Sequence, residues 1–204
     1  MKFIALATED ALSEAVGKRL LIDAGYHIEP SPILRKNGFG YLRSKMDSWC
    51  EMAKRKPVLL LTDLDTAACP IDLRTVWIGK RKPTENLVLR IAVREIEAWL
   101  LADHQALRTL IGHRGTLPPD PDSLPDPKQF LLRLVEKQAS REIREELVAN
   151  AGAIASQGMG YNSRLSHLVA TVWDPERAGT RSKSLQRARH RIAELIGRMH
   201  QHQD

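Results

Sequence analysis

Five carboxylates stand where apolar runs of this chain come to an end. Val58-Leu-Leu-Leu61 stops on Thr62 and delivers Asp63 and Asp65, while Phe3 to Ala7 runs into Thr8-Glu9-Asp10. Leu87 to Val93 runs into Arg94-Glu95-Ile96-Glu97. Carboxylate oxygens suit hard cations, Mg²⁺ or Mn²⁺. Acids gathered in one place repel each other unless they are protonated or bridged by such a cation. The chemistry this suggests is phosphodiester hydrolysis, in which metal acidifies the attacking water and steadies the leaving oxygen. Asp63 and Asp65 then bind metal, Glu9 is base or ligand, and Glu97 with Glu95 completes the shell. Each acid also has a plainer explanation: Asp63 and Asp65 solubilise a turn, and Glu9 and Glu95 are helix-start acids favoured by the dipole. Glu97 fits its plain explanation least, because Ile96, Ala98, Trp99 and Leu100 surround it and burial there is costly without a partner.

The elements that must position these acids follow from periodicity. The run at 58–62 is short, continuous and preceded by Pro57, as expected of a strand buried on both faces of a parallel sheet. If the backbone stays extended beyond it, Asp63 and Asp65 share a side, and so do Glu95 and Glu97 at their own junction. Phe3 to Ala7 reads as a first strand. Ala11, Leu12, Ala15, Val16, Leu20 and Leu21 then recur at helical spacing, with Thr8 as N-cap and Gly25 as the stop. Tyr26-His27-Ile28 reads as a second strand, with His27 structural. Leu42, Met46, Trp49, Cys50 and Ala53 make one face of a second helix, Leu73 to Ile78 reads as a short strand, and Leu87 to Val93 as a longer one. Alternating strands and helices with right-handed crossovers make an α/β, mostly parallel sheet whose carboxyl ends line one edge. Gly38-Phe-Gly-Tyr41 lacks the pattern of a phosphate-binding fingerprint. We expect residues 1–112 to form this α/β domain. A proline-rich link follows at 113–127, and then a helical C-terminal portion at 128–204 that packs on the body or covers its site. Helices are expected at Phe130–Ser140, Glu142–Ala155, Tyr161–Trp173 and Ser182–His200, the last capped by Ser182 or Ser184.

Charge narrows the partners. The formal net charge is +6 and the isoelectric point about 9.5, which favours an anionic partner, nucleic acid first. The excess collects in residues 174–204, where Arg187 and Arg191 lie on the last helix. Lys80, in the basic turn Gly79-Lys-Arg-Lys-Pro83, and Arg94 are the other candidates for phosphate contact. No apolar run approaches the roughly 20 residues that span a bilayer, and the short hydrophobic start is expected to be a strand and not a signal peptide. Two cysteines make neither a zinc site nor a disulfide framework. A cytoplasmic protein without membrane association is the expectation; the oligomeric state is left open.

Glu9 after the first strand followed by Asp63-x-Asp65 resembles the acidic pattern of the Toprim fold, found in topoisomerases, primases, recombination-repair proteins and OLD-type nucleases. More closely, the chain looks like a family of Toprim-like bacterial proteins. The matching pieces are Thr8-Glu9-Asp10, Gly38-Phe-Gly-Tyr41, Leu61-Thr-Asp-Leu-Asp65, Ala92-Val-Arg-Glu-Ile-Glu-Ala-Trp-Leu-Leu-Ala-Asp103, Asp126-Pro-Lys128, Gly160-Tyr-Asn162 and Ser182 to Arg191. The departure is Asp10, where the Toprim pattern usually has glycine. The resemblance implies a metal-dependent nuclease, acting on DNA ahead of RNA, in mobile-element or antiphage defence beside a partner ATPase. The competing reading is a non-catalytic Toprim-like module that docks nucleic acid or an ATPase through its arginine-rich last helix. Phosphotransfer on a small nucleotide ranks below both, since no glycine-rich phosphate loop is present.

Overall fold

The computed structural model describes residues 3–27, 33–35 (backbone), 40–150 and 152–201. Its centre is a four-stranded sheet of order β2-β1-β3-β4, parallel throughout. The strands are β1 (Ala5–Thr8), β2 (Ile33–Arg35), β3 (Val58–Asp63) and β4 (Leu87–Ala92). The order reverses between β1 and β3: the chain moves outward from β1 to β2, then returns past β1 to lay down β3 and β4. That reversal is the switch point at which open α/β sheets hold their ligands, beyond the carboxyl ends of the strands.

The period of two along each strand splits the core into two layers. Ile4, Leu6, Leu59, Leu61, Val88 and Ala92 face one layer; Ala5, Ala7, Val58, Leu60, Leu89 and Ile91 face the other. The second layer is thin, built from α2 (Tyr41–Ser44), α3 (Met46–Ala53) and α4 (Pro70–Ile78). The first contains α1 (Ala11–Asp23), α5 (Ile96–Ala102), α6 (His104–Ile111), α7 (Pro127–Gln138), α8 (Arg141–Leu147), α9 (Tyr161–Thr171), α10 (Pro175–Gly179) and α11 (Lys183–Gln201). Residues from 128–204 therefore share one continuous core with the sheet, Leu131, Val169, Leu185 and Ile192 joining Leu6 and Leu59. At Gly17 helix α1 comes so close to β1 that a Cβ would stand 2.9 Å from Leu6 Cδ1, so this crossing admits no side chain without repacking.

Several expected elements differ. Residues 73–78 belong to α4, not to a strand: Pro70 occupies the first turn and the Cys69 side chain accepts from the Asp72 N–H at 3.3 Å. The β-branched content of this segment suggested extension, but two parallel strands need a crossover, and α4 is the crossover from β3 to β4. Tyr26 and His27 are not in a strand. Gly25, at φ +87°, turns the chain out of α1, and the Tyr26 hydroxyl accepts from the Ile4 N–H at 3.1 Å. Ile28, Gly38 and Phe39, named in the readings of the second strand and the glycine pair, lie outside the described residues. The N-cap of α1 is Asp10, not Thr8; its carboxylate accepts from the Ser13 N–H at 2.7 Å. Helix α8 stops at Leu147, where Val148 pairs with Gln157 across a loop. Within that loop Gly158 passes so near the Glu146 carbonyl that a side chain would collide with backbone. Ser182 caps α11, accepting from the Leu185 N–H at 3.1 Å, and Asp122 in the proline-rich link grips Ser182 and Ser184. Among the described residues no helix is long and apolar enough to cross a membrane.

Candidate metal centre at the carboxyl edge of the sheet

Register explains how Glu9 and Asp63 come to one edge of the sheet. Ala7 pairs with Leu60 and Asp63 with Ala92, so the ends of β1, β3 and β4 fall along one edge. Glu9 follows β1 and continues the Ala5–Ala7 series toward one face, where the Thr62 hydroxyl donates to its Oε1 at 2.5 Å. Asp63 continues the Leu59–Leu61 series toward the opposite face, where α5 packs. Burial pushes the Glu9 carboxyl up, the Thr62 bond opposes this, and the fields of Asp65 and Asp10 add to the rise.

Asp63 is the most perturbed acid. Burial, then the fields of Glu97, Asp65, Asp10 and Glu9, push its carboxyl well above the usual carboxylate range. Its Oδ1 is shut off from solvent without a hydrogen-bond partner. A buried carboxylate oxygen left so is costly, and it is a position a hard cation would satisfy. Asp65 does not share a side with Asp63 through an extended backbone: the chain leaves β3 at Asp63, and Asp65 takes the left-handed conformation at φ +50°. Such strain in a non-glycine residue is held only where surroundings enforce it. Here the Asp65 N–H donates to the Arg94 carbonyl at 2.8 Å. Arg94 returns the grip, its guanidinium donating to the Asp65 and Ala67 carbonyls at 3.0 and 2.9 Å. Burial raises the Asp65 carboxyl too.

The junction at Glu95 and Glu97 is likewise not extended throughout. Glu95 is the extended N-cap of α5 and Glu97 lies in its first turn. Glu97 is 5% exposed and accepts from the buried Tyr161 hydroxyl at 2.7 Å. Burial pushes its carboxyl up to about 7; the Tyr161 bond opposes the rise, Glu95 adds to it, and Lys128 opposes it. Burial raises Glu95 as well, against the bond its Oε2 accepts from the Lys128 N–H at 2.9 Å. Tyr161 is therefore tied to the acids from inside the core. Asp10 and Lys128 also reach the site: Asp10 through its field on Asp63 and Glu9, and Lys128 through its charge and an ammonium 5.2 Å from the centre of the Tyr161 ring. Neither was identified as a site residue from the sequence. The only hints were Asp10 following Glu9 and Lys128 within Asp126-Pro-Lys128.

All five predicted acids thus gather at one edge, within one another's fields. Among the described residues, however, no three His, Cys, Asp or Glu side chains converge as a ready-made metal-ligand group. Alternation is the reason, because it aims Glu9 and Asp63 at opposite faces of the edge. The donors present are all hard oxygens, the type Mg²⁺ or Mn²⁺ takes, and the orphaned Asp63 Oδ1 is the one buried atom of this type left without a partner among the acids at this edge. The basic candidates divide. Lys80 follows α4, on the loop that leads into β4, so it stands at the amino edge of the sheet, away from the acids; a parallel crossover returns the chain to that edge. Arg94 braces the Asp65 turn. Arg187 and Arg191 are exposed on α11, which packs on β4. Comparison with family models, curated proteins and solved structures finds no match for this chain.

Proposed function

We propose that the protein is a metal-dependent nuclease hydrolysing phosphodiester bonds of DNA or RNA at the carboxyl edge of its sheet. The observation that carries this reading is Asp63: a half-buried residue at the switch point, its Oδ1 shut off from solvent and unpartnered, in the combined field of Glu97, Asp65, Asp10 and Glu9. Asp63 and Asp65 are the residues to hold Mg²⁺ or Mn²⁺, with Glu95 and Glu97 behind them, and Glu9, aimed at the other face of the edge where it accepts from Thr62, is the base. Bound there, the ion supplies charge neutralisation at the phosphate and acidification of a water. Glu97, pushed up to about 7, is matched to taking or giving a proton near neutral pH, and Tyr161 fixes its orientation through the 2.7 Å bond. Arg94 acts through Asp65, holding the strained turn in place. The Toprim resemblance implies the same activity, and with it a partner ATPase and a role in antiphage or mobile-element defence.

A second reading, a non-catalytic module that binds nucleic acid or an ATPase, is favoured by the exposed arginines of α11. One experiment separates the two. Purified protein is incubated with plasmid and with single-stranded nucleic acid in Mn²⁺, Mg²⁺ or EDTA, beside an Asp63→Ala/Asp65→Ala variant. Cleavage by wild type in metal, and by neither protein in EDTA, is expected. Binding without cleavage under every condition supports the second reading.

A further inference from the structure

The open edge of the sheet carries a second cluster of charge, opposite in sign to the acids. Among the described residues strand β4 pairs only with β3, so its other side is an unpaired edge, flanked by α4 on one face and α11 on the other. Along that edge runs a groove of about 470 Å³ whose basic lining is Arg74, Arg90, Arg191 and Arg198. It continues into a second hollow of about 440 Å³ formed with Arg187 and His190, the two sharing Arg90 and Arg191.

Helix α11 runs antiparallel to β4. Its start is fixed beyond the strand's end by the bond from Trp99 Nε1 to Ser184 Oγ at 2.7 Å. Near its end Arg198 donates to the Glu85 carbonyl just before the strand begins, at 2.9 Å. Arg187, Arg191 and Arg198 therefore step along the groove at helical spacings of four and seven, over about 16 Å. That is room for several phosphates.

Arginines collected in this way need an anion. Arg74, Arg90 and Arg187 form no ion pair among the described residues. Arg90 is half-buried with its Nε lacking an acceptor. Burial, followed by repulsion from Arg191, Arg187 and Arg74, lowers its pKa to about 10. The acids nearby are few: Glu85, 3.8 Å from Arg198, and Glu194, which takes Arg191 at 2.6 Å and His190 at 3.0 Å.

The geometry points to a phosphodiester-backbone site: the groove between α11, the β4 edge and Arg74 holds a nucleic-acid strand and leads it to the carboxylates. Guanidinium groups match phosphate oxygens in bidentate fashion. Among the described residues no Phe, Tyr or Trp lines either hollow, and the one ring there, His190, is held by Glu194 at 3.0 Å, so contact is chiefly to the backbone, with little sequence preference. The groove also leads to the right place. Arg90 stands two residues before Ala92, the register partner of Asp63, about 7 Å along the strand, and on the same face. The site takes its ligand class from the nuclease reading, but its binding is measurable without catalysis.

The test is fluorescence anisotropy of labelled DNA, single-stranded and duplex, titrated with full-length protein in EDTA over a range of salt. An Arg187→Glu/Arg191→Glu variant changes two exposed side chains and keeps the fold. A charge-matched Lys137→Glu/Arg141→Glu variant of α7 and α8 is the control. At least tenfold weaker binding by the groove variant alone is expected, with the duplex salt slope reduced by about two, near 0.9 per lost phosphate contact. Equal binding by groove variant and wild type, equal weakening by the control, or binding to anionic vesicles in place of DNA would overturn the site. If DNA binds in the groove but no metal releases cleavage, the nuclease reading fails and the groove stands. If cleavage proceeds with unchanged KM in the groove variant, the groove fails and the nuclease reading stands.

Discussion

Asp63 stands among acids whose fields oppose its charge, and this has a measurable cost. Replacing it by Asn removes a charge that Glu97, Asp65, Asp10 and Glu9 all oppose. In EDTA, Asp63→Asn is expected to be more stable than wild type, raising Tm by about 2–4 °C for each kcal/mol in a chain of this size. Adding Mn²⁺ is expected to raise Tm for wild type and not for the variant; a lower Tm for the variant in EDTA would make Asp63 a structural acceptor instead. Glu97 predicts a pH dependence. Its folded pKa, about 7, lies above its ordinary 4.5, so between those values the native state binds more protons than the unfolded chain. Stability therefore falls as pH rises through that window, by at most on the order of 3 kcal/mol, and Glu9, Asp65 and Glu95 act in the same direction. Urea unfolding at pH 5 and pH 8 in EDTA checks this, and Glu97→Gln should flatten the difference. Tyr161→Phe leaves Glu97 without its donor, at a cost of about 1–2 kcal/mol, and should move the loss to higher pH.

At the scale of elements, α5 is the hub. Its backbone and side chains are buried along its whole length, which explains why Glu-Ile-Glu-Ala-Trp-Leu-Leu-Ala-Asp is so apolar around its acids. Trp99 Nε1 reaches Ser184 on α11, and the Trp99 carbonyl accepts from Trp173 Nε1 at 3.0 Å. Asp103, 1% exposed, ends the helix by accepting from Arg177 Nε and a terminal guanidinium nitrogen at 3.1 and 2.8 Å and from the Asp174 N–H at 2.8 Å. Most of this segment therefore docks the C-terminal helices, and only its first turn serves the site. Asp103→Ala strands those donors and should cost about 2–3 kcal/mol by urea unfolding. Asp103→Asn, which keeps an acceptor, should recover part of it.

At the scale of the molecule, sheet and C-terminal helices draw on one core. Calorimetry should therefore show a single cooperative transition, and deletion of α11 should unfold the whole chain, because Leu185, Ala188, Ile192 and Ile196 leave the layer that covers β1 and β3. Two separate transitions would mark the helices as an independent unit. The same layer sets the two charged sites side by side: acids over the strand ends, arginines along the open β4 edge.

The parallel strands at 58–63 and 87–92 and the acids that follow them were legible in the chain, because a run buried on both faces is apolar at every position and its polar end stands out. The cap of α11 was narrowed to Ser182 or Ser184 for a similar reason, being local, and proved to be Ser182, while the cap of α1 fell on Asp10 and not on Thr8. What lies between strands was less so: residues 73–78 have strand-like composition, yet connectivity required a helix there. Whether an acid faces one side of the edge or the other, whether Arg94 meets phosphate or a turn, and whether Lys80 stands near the acids or at the far edge depended on register, turn conformation and crossover. Those are relations between segments distant in sequence. Tyr161 and Lys128 come to Glu97 and Glu95 from helices more than thirty residues away, and no spacing along the chain encodes that meeting; only the packed tertiary structure does.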